Sequence, residues 1–534
     1  MKEIHELNKD ALTTEQKLGL LLCATLTNTE KELCDAITMI REHRLGAVWV
    51  SHNAVGRDEI IARVREAADY PILIMCDAED GHFDYPIPGV IALSAANARE
   101  EYAYSFGRVT ASAFAALGYN VICNPVLDRR TERAPCGAQT RSISPDREVA
   151  AYLGAAIARG MHDGGTLAVA KHFPSANKRT PHDTHLRESY AVDTHDELLS
   201  DALYPYKRLI EQDLIDGVMV GHTRLVNIDP ERPSSLSRPV LDILREIGFD
   251  GFCITDGLSM MGIVSKYGNT APTPMAIEAG CDISLPFIAC TTAFNALCEG
   301  YRSGMITDER LESAVTRVLA AQHKVMLLPK NEAIREADVE NIKKINRECI
   351  SAVCAEEVSP AISRDGRHLF ILMTEGTVDL SKLEFDAFAS DWYNPRRIAD
   401  TITALFPNSS VITHPDHPNC TQNYHLMRKQ QEYEDIVYIT YCKSFCYIGR
   451  ECLTPRTADI MDALQVTDRI VAHLHFGNPF VATDAPYVSR VLLGWGSAEC
   501  IDHTLHILAG EAECLGKQPY ADYLHFHKKG DILC

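Results

Sequence analysis

The stretch KHFPSANKRTPHDTH, residues 171–185, sets His172, His182, His185, Asp183 and the cations Lys171, Lys178 and Arg179 directly after the apolar run TLAVA. Asp183 and His185 are two residues apart, so in an extended loop both side chains fall on one side. A carboxylate so placed can accept from one imidazole nitrogen and orient the ring. That is a base–orienter dyad, the logic of a proton-transfer site. Two other readings stay open. His172, His182, Asp183 and His185 could be metal ligands, although no helical His-x-x-x-His is present and Lys171 and Arg179 add positive charge. The stretch could also be a solvated loop. A second candidate is Asp256, which ends the apolar part of GFDGFCITDGLSMMGI and precedes Gly257. It is either displayed on a tight turn or caps a turn of helix, and the local residues allow both.

Such side chains need a frame. Eight short apolar runs precede residue 330: LLLCATL (20–26), GAVWVS (46–51), ILIMCD (72–77), NVICN (120–124), LAVAKH (167–172), GVMVGH (217–222), FCITD (252–256) and DISLP (282–286). They are rich in β-branched and aliphatic residues, as buried parallel strands are. Helical patterns fill most gaps. SPDREVAAYLGAAIARGMHDG (144–164) has Ser144 or Asp146 as its start. Thr307 can cap ITDERLESAVTRVLAAQHKVML (306–327). Eight βα units predict a TIM (β/α)8-type barrel. Several runs end in polar residues: Asp77, Asn124, Lys171–His172, His222 and Asp256. The carboxyl ends of barrel strands form the floor of the active site, so these residues point to one site.

A charged helix, DVENIKKINRECISAVCAEEV (338–358), is predicted to bridge to a second α/β region. Its strand candidates are HLFILMT (368–374), SVIT (410–413), DIVYITY (435–441), RIVAHLHF (469–476) and VSRVLLGW (488–495). The expected division is a barrel domain over 1–330, a linker helix over 331–360, and a C-terminal α/β domain over 361–534 with a mostly parallel sheet.

The totals agree with two domains. The chain has 534 residues, 46% hydrophobic and 23% charged, which is ordinary for a globular protein. A net charge of −21 argues against nucleic acid or an anionic membrane as partner. The N-terminus carries no secretory signal pattern and no run is long enough to span a bilayer. The 18 cysteines are scattered without a Cys-x-x-Cys pair, which predicts a reduced, cytoplasmic protein with buried thiols. The closest pair, Cys442 and Cys446 in YCKSFC, reads as packing rather than a zinc site.

Longer motifs add a resemblance. Lys171-His172-Phe173-Pro174 and Asp183-Thr184-His185 match a K-H-F-P…D-S-H pattern, and GFDGFCITDGLSMMG (248–262) matches a second. VMVGHTRLVNIDPERPSSLS (218–237), NPVLD (124–128), RSIS (141–144) and AIEAGCDISL (276–285) fall in the same order. GNPFVATDAPYVSRVLLGWGSAE and LAGEAECLGKQPY continue the likeness into the second region. In these segments the chain resembles glycoside hydrolase family 3, most like its β-N-acetylglucosaminidase branch (the NagZ type). The resemblance implies a retaining exo-β-glycosidase, by default a β-N-acetylhexosaminidase, working by double displacement. It implies Asp256 as nucleophile, His185 as acid/base and Asp183 as its orienter. It further implies Asp77, Arg141, Lys171, His172 and His222 as substrate-binding residues. It implies no metal and no cofactor. The partner would be a small-molecule glycoside or a short oligosaccharide or muropeptide-like substrate.

Two segments depart from the pattern. The family's G-H-G-D is SANK here, Ser175 to Lys178, and the loop is one residue longer before Asp183. Loss of both glycines should stiffen or reshape it. The family's D-x-E-G-G-R-V-x-R is DAEDGHFDY (77–85), with His82 and Tyr85 in place of both arginines. A cationic sugar clamp is therefore lost, which opens the choice of sugar. Two other functions remain in play. One is a glycoside phosphorylase, because a histidine does not repel phosphate as a carboxylate would. The other is a non-catalytic sugar-binding or regulatory descendant.

Overall fold

Runs that are apolar on both faces must be covered on both faces, and in the computed structural model they pair in parallel inside a ring of helices. Residues 4–26, 29–134, 138–180, 182–330, 332–375, 392–442, 446, 447, 449, 451–466 and 468–526 are described. The first sheet holds β1 (Cys23–Leu26), β2 (Ala47–Val50), β3 (Leu73–Cys76), β4 (Val121–Ile122), β5 (Leu167–Phe173), β6 (Gly217–Val220) and β7 (Phe252–Thr255). Their spatial order is their chain order.

The eighth run does not form a strand of its own. Ile283 bridges Ile254 on one side, and Ser284 bridges Leu22 on the other. Thr255 N donates to Ile283 O at 3.1 Å and Cys23 N to Ser284 O at 2.9 Å, so the ring closes through two residues. Pro286 lacks the N–H that would extend the ladder. The first sheet is thus the TIM-like barrel the sequence predicts, with one stave reduced to bridges.

The helix starts follow their caps. Asp146, not Ser144, caps the helix Arg147–Gly164 by accepting from Val149 N, and Gly165 ends it at φ 97°. Thr307 accepts from Arg310 N at the head of Asp308–Leu327.

The chain divides into two compact units. The first comprises Met1–Tyr85, Glu100–Arg129 and Ser142–Asn341; the second comprises Pro86–Arg99, Arg130–Arg141 and Ile342–Cys534. Two short segments from within the barrel's stretch of sequence therefore group with the second unit.

That unit carries β8 (Ser351–Cys354), β9 (His368–Thr374), β10 (Ser410–Pro415), β11 (Asp435–Cys442), β12 (Ile470–Gly477) and β13 (Arg490–Gly494). They lie in the order β8-β13-β12-β11-β9-β10. All neighbours are parallel except β8, which runs antiparallel to β13. The expected linker helix stops at Glu348, and the SAVC that was read as its continuation is β8. The helical spacing gave way there to pairing with the apolar edge of β13. Of the Cys442–Cys446 stretch, residues 443–445 lie outside the described residues. Among the described residues, no helix is long and apolar enough to cross a membrane.

Candidate active site

The ladder between β5 and β6 shifts register between Ala170 and Phe173. Such an irregularity re-aims the side chains it spans, here Lys171 and His172. Lys171 is buried at 1% exposure, with Nζ against Asp77 and 2.5 Å from Glu79 Oε1. Two carboxylates at the end of β3 thus neutralise an ammonium that burial would otherwise penalise. His172 Nδ1 lies 2.7 Å from Asp128 Oδ2, and the same oxygen accepts from His172 N at 3.3 Å. A carboxylate only accepts, so Nδ1 carries the proton and the ring is fixed.

Asp256 follows β7. Its N–H donates to Val220 O at 2.9 Å, and its Oδ1 accepts from Gly257 N at 2.7 Å. It stands at the carboxyl end of its strand, on the turn the sequence allowed. Burial alone would push its carboxyl up. The positive charge that His172, His222 and His185 can carry, with the Gly257 N–H, outweighs this and holds it at about 2. It is a carboxylate throughout the neutral range.

His222 lies two residues past β6. Its Nε2 meets Gly257 O at 2.9 Å and its Nδ1 meets Ser235 Oγ at 2.8 Å. A carbonyl can only accept, so Nε2 is the protonated nitrogen and Nδ1 accepts from the serine. Burial pushes this imidazole below its ordinary value, against the opposing pull of Asp256 and the Gly257 carbonyl. Both nitrogens are spent on protein. His222 is thereby bonded to the turn that follows Asp256.

Asp183 and His185 are hydrogen-bonded to each other. Asp183 Oδ1 accepts from His185 Nδ1 and from His185 N, both at 2.8 Å, and Asp183 is buried. The loop docks on the segment that follows Asp256: Met261 N donates to His185 O at 3.2 Å, and Gly262 N to Thr184 O at 3.0 Å. A Cβ on Gly262 would lie 2.8 Å from Thr184 O and 3.0 Å from Arg187 O, so only glycine admits the loop this closely.

The divergent segment 175–180 is well anchored. Asn177 N and Lys178 N donate to Asp193 at 3.1 and 2.8 Å, and Asn177 Nδ2 donates to Asp201 at 2.6 Å. Ser175 adopts a left-handed φ of 54°, a conformation to which glycine is best suited. Pro181 lies outside the described residues. Among those described, no group of three or more His, Cys, Asp or Glu side chains is set to hold a metal ion, so the four-ligand reading of this stretch does not assemble.

The first unit therefore brings together Asp77, Lys171, His172, Asp183, His185, His222 and Asp256. Arg141 ends a short helix, Ala138–Arg141, that belongs to the second unit. Sequence reasoning quoted Glu79, Asp128 and Ser235 within motifs but gave them no task. For Asp128 and Glu79 the available signal was their position just past a strand end.

One group held ionised and another oriented for proton exchange, at the mouth of a TIM-like barrel, are what cleavage of a glycosidic bond requires. The class that this fold and site define is glycoside hydrolase. Residues 13–321 match the model of the glycosyl hydrolase family 3 N terminal domain, and the chain belongs to that family. It is 30% identical over 270 residues to a beta-hexosaminidase of Haemophilus influenzae, a match covering 48% of this chain and 76% of that one. It is 28% identical over 323 residues to a beta-N-acetylglucosaminidase/beta-glucosidase of Cellulomonas fimi, covering 57% of each chain. The chain thus spans little more than half the length of that relative. Its fold is similar to that of a family 3 beta-N-acetylglucosaminidase from Paenibacillus, with a TM-score of 0.80 at 23% identity over 95% of this chain and 99% of the other.

Proposed function

We propose that the protein is a retaining exo-β-glycosidase whose substrates are N-acetylhexosaminides. Asp256 attacks the anomeric carbon and the glycosidic bond to the leaving oxygen breaks. A covalent glycosyl-enzyme forms, which water then resolves, so configuration is retained. His185 protonates the leaving oxygen through Nε2, since Nδ1 is committed to Asp183, and then takes a proton from the water. Asp77, Lys171 and His172 hold the sugar hydroxyls. The observation that carries this reading is the docking of the Asp183–His185 turn on the segment just past Asp256, through Met261 and Gly262. The hexosaminide preference rests on the named relatives.

The test is a panel of aryl glycosides with the wild type and Asp256→Ala. The aryl β-N-acetylglucosaminide should turn over best, and the substitution should lower that rate at least about 10³-fold. Silence on every sugar would overturn the reading in favour of a non-catalytic descendant.

A histidine acid/base also favours a second reading, a phosphorylase, because phosphate can approach an imidazole without the repulsion a carboxylate imposes. Its mark would be a rate that rises with phosphate and a sugar 1-phosphate product.

A further inference from the structure

Three large apolar side chains, Leu186, Met261 and Phe287, stay open to solvent on the turns that carry His185 and Asp256. Apolar residues exposed singly over a surface need no account. A group of them beside one site marks a face that a ligand covers.

Each is tied to the site by a contact. Phe287 follows the run 282–286, the stave that closes the barrel through Ile283 and Ser284. Its ring lies against the turn after β7, since a Cβ on Gly257 would stand 3.0 Å from Phe287 Cε2 and 3.3 Å from Cδ2. Gly257 N is also the donor that Asp256 Oδ1 accepts at 2.7 Å. The same glycine thus touches the carboxylate and the ring. Met261 N donates to His185 O at 3.2 Å. Leu186 follows His185 directly, and its N–H donates to Asp183 O at 3.0 Å.

The backbone at Phe287 is strained. Its φ of 47° is left-handed, a region unfavourable to a bulky side chain. Such strain persists where the surroundings over-determine it, and it clusters at ligand sites. The ring is still 42% exposed, so its burial offsets only part of that cost. A ligand laid on the ring would add to that burial.

The chemistry of the site divides in the same way. Asp77, Lys171 and His172, at the strand ends, are polar and suit sugar hydroxyls. His185 Nδ1 is bound to Asp183, which leaves Nε2 for the leaving oxygen. In an exo-acting site the sugar goes in first and the leaving group stays towards solvent. The solvent side of this site is where the three apolar side chains stand.

We infer that Leu186, Met261 and Phe287 form the leaving-group subsite, and that the substrate is a glycoside of an apolar alcohol, alkyl or aryl, rather than of a second sugar. The inference rests on the reading of Asp256 and His185 as a glycosidase pair, and it names the half of the substrate which that reading leaves open.

The experiment uses methyl, propyl and hexyl N-acetyl-β-glucosaminides, whose leaving alcohols differ little in acidity, and the β-linked disaccharide of the same sugar. For the wild type, kcat/KM should rise about 10- to 100-fold from methyl to hexyl, and the hexyl glycoside should exceed the disaccharide. Phe287→Gly removes the ring at a φ that glycine adopts freely, so the turn is kept. It and Met261→Ser should each lower the hexyl-to-methyl ratio about three- to tenfold, whereas Met261→Leu should retain it. A second arm records the melting shift given by the hexyl and methyl thioglycosides, with no turnover needed, and the hexyl shift should be the larger. A wild type indifferent to chain length, a disaccharide preferred to the hexyl glycoside, or variants that lose equally on methyl and hexyl would overturn the inference. A wild type inactive on every sugar of the aryl panel would overturn the functional reading instead. In that case the thioglycoside arm still decides the subsite, and equal shifts for hexyl and methyl would overturn it.

Discussion

Asp183 gives one carboxylate oxygen to both the ring and the backbone N–H of His185. Asp183→Asn keeps the shape but loses the charge that stabilises an imidazolium and favours the Nδ1–H form. Its kcat should fall by about 10²-fold or more, with little change in KM, in steady-state assays. Asp256 gives a pH test. Its folded pKa, about 2, lies below the ordinary carboxylate value near 3.9. Between those values the unfolded chain binds more protons, so this group's stabilisation is full above about pH 4 and is lost as pH falls through 2. In urea unfolding at stepped pH, the stability gap between wild type and Asp256→Asn should narrow over that window. These three residues were legible because they are titratable and stand at strand ends or at an i, i+2 spacing. His222 was legible as a strand-end residue but not as a support for the Gly257 turn. Its partners, Ser235 and a backbone carbonyl, leave no mark in a sequence.

At the scale of elements, the site depends on a loop seated against the turn after β7. Gly262→Ala would place a methyl 2.8 Å from Thr184 O and push the dyad's turn away. The expected outcome is a fall in kcat of about tenfold or more, with the far-UV spectrum unchanged. Asp193 seats the same loop from its other end, through the N–H groups of Asn177 and Lys178. Asp193→Ala leaves two donors in need of water and should cost about 1–3 kcal/mol in denaturant unfolding. The sequence raised the question of this loop, since SANK replaces two glycines, but could not answer it. The anchors, Asp193 and Asp201, lie well downstream and come near only through folding.

For the whole molecule, the barrel closes where Ile283 and Ser284 bridge the first and last strands. Asp282, fully buried, secures that seam. It meets Arg310 at 2.6 Å and Arg245 at 3.1 Å, and it accepts from Cys253 N at 2.9 Å. Asp282→Ala strips both guanidinium groups, and that of Arg317 at 3.5 Å, of this partner and should destabilise the protein by about 3–5 kcal/mol in urea unfolding. Eight apolar runs made the barrel readable, and five more made most of the second sheet readable. The antiparallel β8 was not, because SAVC follows directly on a helical pattern and its pairing partner lies more than a hundred residues away. The assignment of 86–99 and 130–141 to the second unit was equally hidden, since no shift of composition marks those segments.

The central claim is that Asp256 forms a covalent bond to the sugar. It is tested most directly by quenching the enzyme with a slow fluorinated aryl glycoside and mapping the adduct by peptide mass spectrometry. The account expects one glycosyl unit, on the peptide that contains Asp256, and none in Asp256→Ala. An adduct on another residue, or turnover that yields a product of inverted anomeric configuration, would contradict it.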